Sequence, residues 1–295
     1  MKTTVRRLRG FILGIFILLA GPSYAEVGPI KIIASTTLVA DFAREIGGER
    51  VAVESLIQAG GDPHEYQARP RDAIAMNGAR LVIVNGLGLD GGIERLARST
   101  VGGARTIVLG AQAGIKPIGK DPHIWQDPNR VRVMVEAIAA RLTVDDPNGA
   151  EYYRQRLELY LQRLSELDRE IRQGFAKIPS ERRKIITSHD AFGYFAVTYG
   201  IEFLAPEGTA SQSEASARRL VGLIEQIKRE RIRVIFIETI SDPRLIEQIA
   251  RETGARVGLP LYSDSLSAES GPAGDYLAMM RYNLAQFLRA MEGGE

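Results

Sequence analysis

From Ile30 onward, short apolar, β-branched runs alternate with stretches whose apolar residues recur every three or four positions. "IKIIAST", "VAVESLI", "RLVIVNG" and "TIVLG" read as strands, and "LVADFAREIGG" and "RPRDAIAMNGA" as amphipathic helices. This βαβα order predicts an α/β fold with a mainly parallel sheet flanked by helices. The alternation stops at "DDPNGAEYYRQRLELYLQRLSELDREIRQGFAKIP". There Asp145 or Asp146 can cap a helix, Pro147 suits its first turn, and Pro179 marks its end. Leu157, Tyr160, Leu161, Leu164, Leu167, Ile171 and Phe175 keep a helical period throughout. Roughly 30 helical residues would span about 45 Å. Strand and helix patterns then resume from "RKIITSH" to "GDYLAMMRYNLAQFLRAM", so the chain reads as two α/β lobes joined by one long linking helix.

The residues before Ile30 follow a different rule. Lys2, Arg6, Arg7 and Arg9 precede an apolar run from Phe11 to Ala20, and Ser23-Tyr24-Ala25 places small residues where a signal peptidase cuts. The run is shorter than the about 20 residues needed to span a bilayer. The expected organisation is therefore a signal peptide at 1–25, a first lobe at 26–144, a linking helix at 145–179 and a second lobe at 180–295. Losing the leader takes away four basic and no acidic residues, so 38 basic against 36 acidic residues becomes 34 against 36. The mature charge is then −2, and nothing in it points to nucleic acid or an anionic membrane. With no cysteine, disulfides, thiolate ligands and a lipid-bearing cysteine are excluded from this sequence. The expected product is an unanchored periplasmic monomer, not a lipoprotein.

Candidate chemistry centres on the three histidines, two of which sit in the same tripeptide: Asp62-Pro63-His64 and Asp121-Pro122-His123. With Asp and Pro each near 5% of residues, that pair precedes a given histidine by chance about once in 400. Proline fixes its own φ and restricts the residue before it, which limits where the imidazole can point. His64 follows "VAVESLI", His123 comes after "TIVLG", and His189 ends "RKIITSH". Ligands of open parallel sheets bind beyond the carboxyl ends of strands, so all three are candidates for one cleft. Asp264, in "PLYSDSLS", lies past the last strand of the second lobe. Three imidazoles and one carboxylate would fill a tetrahedron around Zn²⁺. Glu65, Asp190 and Glu238 are candidates to accept the second imidazole N–H, and Trp125 to shield the site from water.

The segments "GDPHEYQARPRD", "DPHIWQDP", "TSHDAFGYFAVTYGI", "IFIET" and "YSDSLS" stand in the order and spacing of the zinc/manganese class of solute-binding proteins of ABC importers. The mature chain resembles that family over essentially its whole length. The resemblance implies one metal ion held between two lobes and delivered to an inner-membrane permease, with ligand positions falling on His64, His123, His189 and Asp264. In the family the third position is commonly glutamate in manganese- or iron-associated members and histidine in zinc-associated ones. His189 therefore implies one Zn²⁺ per chain, with Mn²⁺ the runner-up. The long histidine-rich loop and the disulfide of many zinc-associated members are absent from this chain. The rival reading, an exported zinc hydrolase, would need an open coordination position, which a fourth protein ligand closes. A helix lacking Gly and Pro from Glu151 to Arg172 also predicts that unloading moves the loops near His64, His123 and Asp264 more than the lobes.

Overall fold

The computed structural model describes residues 28–210 and 217–292. The expected leader at 1–25 lies outside the described residues. The first half runs β1 (Ile30–Ala34), α1 (Thr37–Gly47), β2 (Val51–Ser55), α2 (Pro70–Asn77), β3 (Leu81–Val84), α3 (Gly91–Thr100), β4 (Thr106–Val108) and α4 (Pro128–Asp145). Its four strands form one parallel sheet in the order β2-β1-β3-β4. Leu81, Val82, Ile83 and Val84 of β3 are all buried, as expected of a strand covered on both faces.

The long helix α5 (Ala150–Ala176) has 27 residues, about 40 Å at 1.5 Å per residue. It packs on α4 along most of its length, on α1 near its start and on the last helix of the chain near its end. Its buried stripe is Tyr153, Tyr160, Leu164, Leu167, Ile171 and Phe175. The helix is shorter than the expected 145–179 because Asp145 closes α4 and Asp146 caps a separate turn at Pro147–Gly149, accepting the Gly149 N–H at 3.2 Å.

The second half continues β5 (Lys184–Ile186), α6 (Gly193–Tyr199), β6 (Glu202–Leu204), α7 (Ala217–Glu230), β7 (Val234–Ile235), α8 (Pro243–Thr253), β8 (Arg256–Val257) and α9 (Tyr276–Glu292). The strands are only two or three residues long and pair in parallel as β5-β6 and β7-β8. A bond from the Phe236 N–H to the Ile186 carbonyl at 2.8 Å joins the two pairs. The architecture is the expected α/β one, with parallel sheets flanked by helices in two lobes and a long helix beside both. One buried apolar cluster runs from Ile32 and Phe42 through Leu164 and Leu167 to Phe195 and Phe287, so the lobes share a core along α5.

Two helices had no counterpart in the sequence expectation. Helix α3 opens on Gly91 and Gly92, poor helix formers, and is held by the burial of Ile93 and Ala97. Helix α4 did leave a signal: Asp127 accepts the Asn129 N–H at 2.9 Å, Pro128 follows, and Val131, Met134, Val135, Ile138 and Leu142 form its buried stripe.

Candidate metal centre

His64, His123, His189 and Asp264 each stand on irregular chain beyond the carboxyl end of a strand, and the fold brings all four together. One ligand atom from each lies within 4.8 Å of all the others. His64 Nε2 is 3.2 Å from His123 Nε2 and 3.1 Å from Asp264 Oδ2. His189 Nε2 is 3.2 Å from Asp264 Oδ2, and His123 Nε2 is 3.5 Å from Oδ1. Metal–nitrogen bonds of about 2.0–2.1 Å in a tetrahedron require donor–donor edges of about 3.3 Å. The four measured separations, 3.1 to 3.5 Å, lie close to such an edge, and all four donors fall within 4.8 Å of one another.

The hydrogen-bond inventory fits the same group. His189 Nε2 and Asp264 Oδ1 are buried without an angularly acceptable hydrogen bond, although each has an oppositely charged neighbour at close range. Buried polar atoms are rarely left so unless something else satisfies them. Here their lone pairs face the common centre, where a cation would.

The tripeptides act through their aspartates as well as their prolines. Asp62 Oδ1 accepts the backbone N–H of His64 at 2.8 Å, and Asp121 Oδ1 accepts that of His123 at 2.9 Å. Each is an Asx turn that fixes the histidine two residues on. Asp121 Oδ1 also lies 2.6 Å from His123 Nδ1, so one oxygen holds both backbone and ring and leaves Nε2 for the cluster. Glu238 faces His189 with both oxygens: Oε1 accepts the backbone N–H at 3.0 Å, and Oε2 lies 2.7 Å from Nδ1 as a close pair without hydrogen-bond geometry.

Charge follows geometry. Burial works against protonated His123, but the Asp264 carboxylate facing it and the bond to Asp121 outweigh burial and raise its pKa to about 9. Burial also opposes the charge on His189, yet Glu238 and Asp264 hold its pKa well above the ordinary imidazole value. Asp264 is pulled the other way: despite burial, His123 and His189 keep it ionised far below the usual carboxylate range. Without a cation the cluster is a compact store of protons around one carboxylate.

The family model for ZnuA, described as zinc-uptake complex component A, periplasmic, matches residues 32–290. The chain belongs to this family. Its relatives include the iron-binding protein YfeA of Yersinia pestis, 30% identical over 259 residues that cover 85% of this chain and 82% of YfeA. The manganese-binding lipoprotein MntA of Halalkalibacterium halodurans is 30% identical over 266 residues, covering 89% and 88% of the two chains. The solved structure of the periplasmic zinc binding protein TroA from Treponema pallidum superposes with a TM-score of 0.84 at 28% identity, over 90% of this chain and 99% of TroA. The ZnuA-family chain is thus a metal-binding solute-binding protein of the ABC-importer class. The names of these relatives cite iron, manganese and zinc, so kinship alone leaves the cargo open.

Within the ZnuA-family fold, several further residues position the cluster. Trp125 packs edge-on against His123, ring centroids 5.3 Å apart, and its Nε1 donates to the Ser263 carbonyl at 2.8 Å. It thereby joins the His123 turn to the residue preceding Asp264. Asn85, at the end of β3, donates to the Pro122 carbonyl at 3.0 Å. Asp90 accepts the N–H groups of Asn85 and Gly86 and so fixes that strand end. Gly86 is obligatory there: its φ is 82°, and a Cβ would sit 2.4 Å from Val108 Cγ1. Of the three residues expected beside the imidazoles, Glu238 holds His189, Glu65 is exposed, and Asp190 is half-buried with its backbone N–H on the Gly208 carbonyl. Asp121, read from the sequence only as the residue that Pro122 restricts, is the partner of His123. Its position two residues before a histidine in both tripeptides was the available signal.

Proposed function

We propose that this chain captures Zn²⁺ outside the cytoplasmic membrane and hands it to the permease of an ABC importer. His64, His123, His189 and Asp264 are the ligands in this reading, and Asp121 and Glu238 orient two of them. The observation that carries it is the convergence of three imidazole nitrogens and one carboxylate within 4.8 Å of one another. A nitrogen-rich set of borderline hardness favours Zn²⁺ over Mn²⁺. Four protein donors leave no position for an activated water, which favours carriage over hydrolysis. The division into a leader at 1–25, lobes at 26–144 and 180–295, and a connector at 145–179 is part of the same proposal, with a monomer delivered to the periplasm. Some relatives are named as lipoproteins; here, with no cysteine in the sequence, we propose an unlipidated product. No helix among the described residues is long and apolar enough to cross a membrane.

Competition among Zn²⁺, Mn²⁺ and Fe²⁺ for the purified chain, with metal analysis of protein taken from its natural compartment, tests the cargo. Zn²⁺ is expected to win at equal free concentration, and a win by Mn²⁺ would reverse the assignment. The second reading, a manganese or iron carrier, draws on one feature. Both oxygens of Asp264 face the imidazoles, Oδ2 toward His64 and His189 and Oδ1 toward His123. A carboxylate used through both oxygens raises the coordination number above four, which suits those metals better.

A further inference from the structure

The loop between β2 and α2 carries His64, the one histidine of the cluster that is not fully buried. Most hydrogen bonds described for residues 58–66 stay local. Gln58 reaches Ser55, Gly61 reaches Gln58, His64 reaches Asp62, and Tyr66 reaches Asp72. Apart from the His64 ring contacts to His123 and Asp264 inside the cluster, one described bond of this loop crosses the molecule. The Gly60 N–H donates to Ser265 Oγ at 2.9 Å, linking residues 205 apart in sequence.

Ser265 follows Asp264 directly and is 1% exposed. Its hydroxyl donates to the Leu266 carbonyl at 3.3 Å, which turns a lone pair toward Gly60. Thr37, at the start of α1, braces the same place: its Oγ1 is 3.5 Å from Ser265 Oγ and accepts the Leu266 N–H at 2.9 Å. Trp125 and Gln126 hold the Ser263 carbonyl on the other side of Asp264. The segment 263–266 belongs to the second half of the chain but is stitched to the first, and the His64 loop hangs from that seam.

We propose that the Ser265 hydroxyl is a latch that positions the His64 loop against Asp264 and slows release of bound metal. The proposal rests on the metal-capture reading above. Without the latch, His64 still reaches the metal, but the loop leaves it more often. One neutral hydrogen bond is worth about a factor of five in such an opening equilibrium.

The test pairs two measurements on Ser265→Ala, with Ser265→Thr as the variant that keeps the hydroxyl. In chelator-driven release of Zn²⁺, the alanine variant is expected to lose metal about fivefold faster than the parent at an unchanged association rate. The threonine variant is expected to stay near the parent. Amide exchange of the metal-free proteins should show Gly60 exchanging faster in Ser265→Ala alone. An unchanged release rate in Ser265→Ala, or equal loss in both variants, would overturn the latch. An unchanged Gly60 amide would overturn the anchor itself. A parent chain that binds none of Zn²⁺, Mn²⁺ and Fe²⁺ would instead sink the metal-capture reading, and the exchange arm would still report whether the loop hangs from Ser265.

Discussion

The same three residues, Asp-Pro-His, build two different parts of one cluster. At 121–123 the tripeptide is interior: His123 is fully buried, Asp121 clamps both its backbone and its ring, Asn85 grips the intervening proline carbonyl, and Trp125 packs on the imidazole. At 62–64 the tripeptide shares the Asx turn, but the carboxylate described beside the His64 ring is that of Asp264 at Nε2, and the loop borders an open cleft of about 750 Å³ lined by Tyr66, Leu89 and Arg95. An identical local motif therefore sets backbone geometry in both places, while tertiary packing decides which histidine is fixed and which can be released. We expect His123 with Asp264 to act as the fixed half and His64 as the releasable one, since the segments at 123 and 264 are tied across the lobes through Asn85, Trp125 and Gln126.

The largest contrast should come from removing each ring. Structural zinc sites are worth about 10–16 kcal/mol over four ligands, so losing one costs about 3 kcal/mol, on the order of a hundredfold in affinity. His123→Ala should show at least that loss. It should also destabilise the metal-free fold by about 3 kcal/mol, because Asp121 and Asp264 lose the partner they are buried against. His64→Ala should lose less affinity, about tenfold, since water can enter from the cleft, and should leave the melting temperature of metal-free protein nearly unchanged. Calorimetric zinc titrations and thermal melts of the two variants measure both differences. Equal melting temperatures would break the distinction between a fixed and a releasable half.

The aspartates sharpen the comparison one step further out. Asp121→Asn keeps an acceptor for the backbone N–H but removes the charge facing His123 Nδ1, and such orienting groups are worth about 10- to 100-fold in metal affinity. Asp62→Asn keeps the acceptor that the His64 N–H uses, so its change should be the smaller of the two, less than about threefold. If the two asparagine variants bind zinc alike, the ring contact at Asp121 contributes nothing.

Much of this was legible in the sequence, for reasons that can be named. The α/β order and the strand ends beyond which the four clustered side chains stand follow from local alternation, while their proposed role as ligands was implied by the family resemblance. Helix α3 was hidden because two glycines open it and burial of Ile93 and Ala97 sustains it, a tertiary effect that local propensity does not report. Asp121 and Glu238 both stand behind an imidazole, yet of the two only Glu238 was read as a partner, because Asp121 had been read only as the residue that its proline restricts. The seam through Ser265, Thr37 and Gly60 joins residues more than 200 positions apart, and no local pattern encodes that pairing.

Titration probes the buried half of the cluster. The pKa of His123 is about 9 in the metal-free fold against about 6.5 in an unfolded chain, and that of His189 is raised in the same direction. A raised imidazole contributes stability that is complete below the unfolded value and is lost as pH rises through the folded one. The melting temperature of metal-free protein should therefore fall between about pH 6.5 and 9. Zinc affinity should climb over the same interval, by about tenfold per pH unit for each proton displaced. His123→Gln should reduce the stability slope without abolishing it, because His189 remains. Melts of parent and variant across this range decide the point, and an undiminished slope in His123→Gln would assign the titration elsewhere.

The smallest expected effect comes from glycines packed behind each tripeptide. A Cβ at Gly193, the first residue of α6, would lie 2.4 Å from Asp121 Oδ2. The carboxylate would have to shift, and Tyr194 restrains it by donating its hydroxyl to the Asp121 carbonyl at 3.1 Å. Gly193→Ala should thus turn Asp121 away from His123 and weaken zinc binding about threefold to tenfold, a part of the orienting contribution that Asp121→Asn removes entirely. A Cβ at Gly61 would meet Ile57 Cγ2 at 2.8 Å and the Gln58 carbonyl at 3.0 Å, both within the His64 loop. That loop has fewer restraints and can absorb the displacement, so Gly61→Ala should change affinity by less than about twofold. Competitive zinc titration of the two alanine variants at one pH compares them directly. A larger loss at Gly61 than at Gly193 would mean that the loop at 64 is the stiffer half of the cluster.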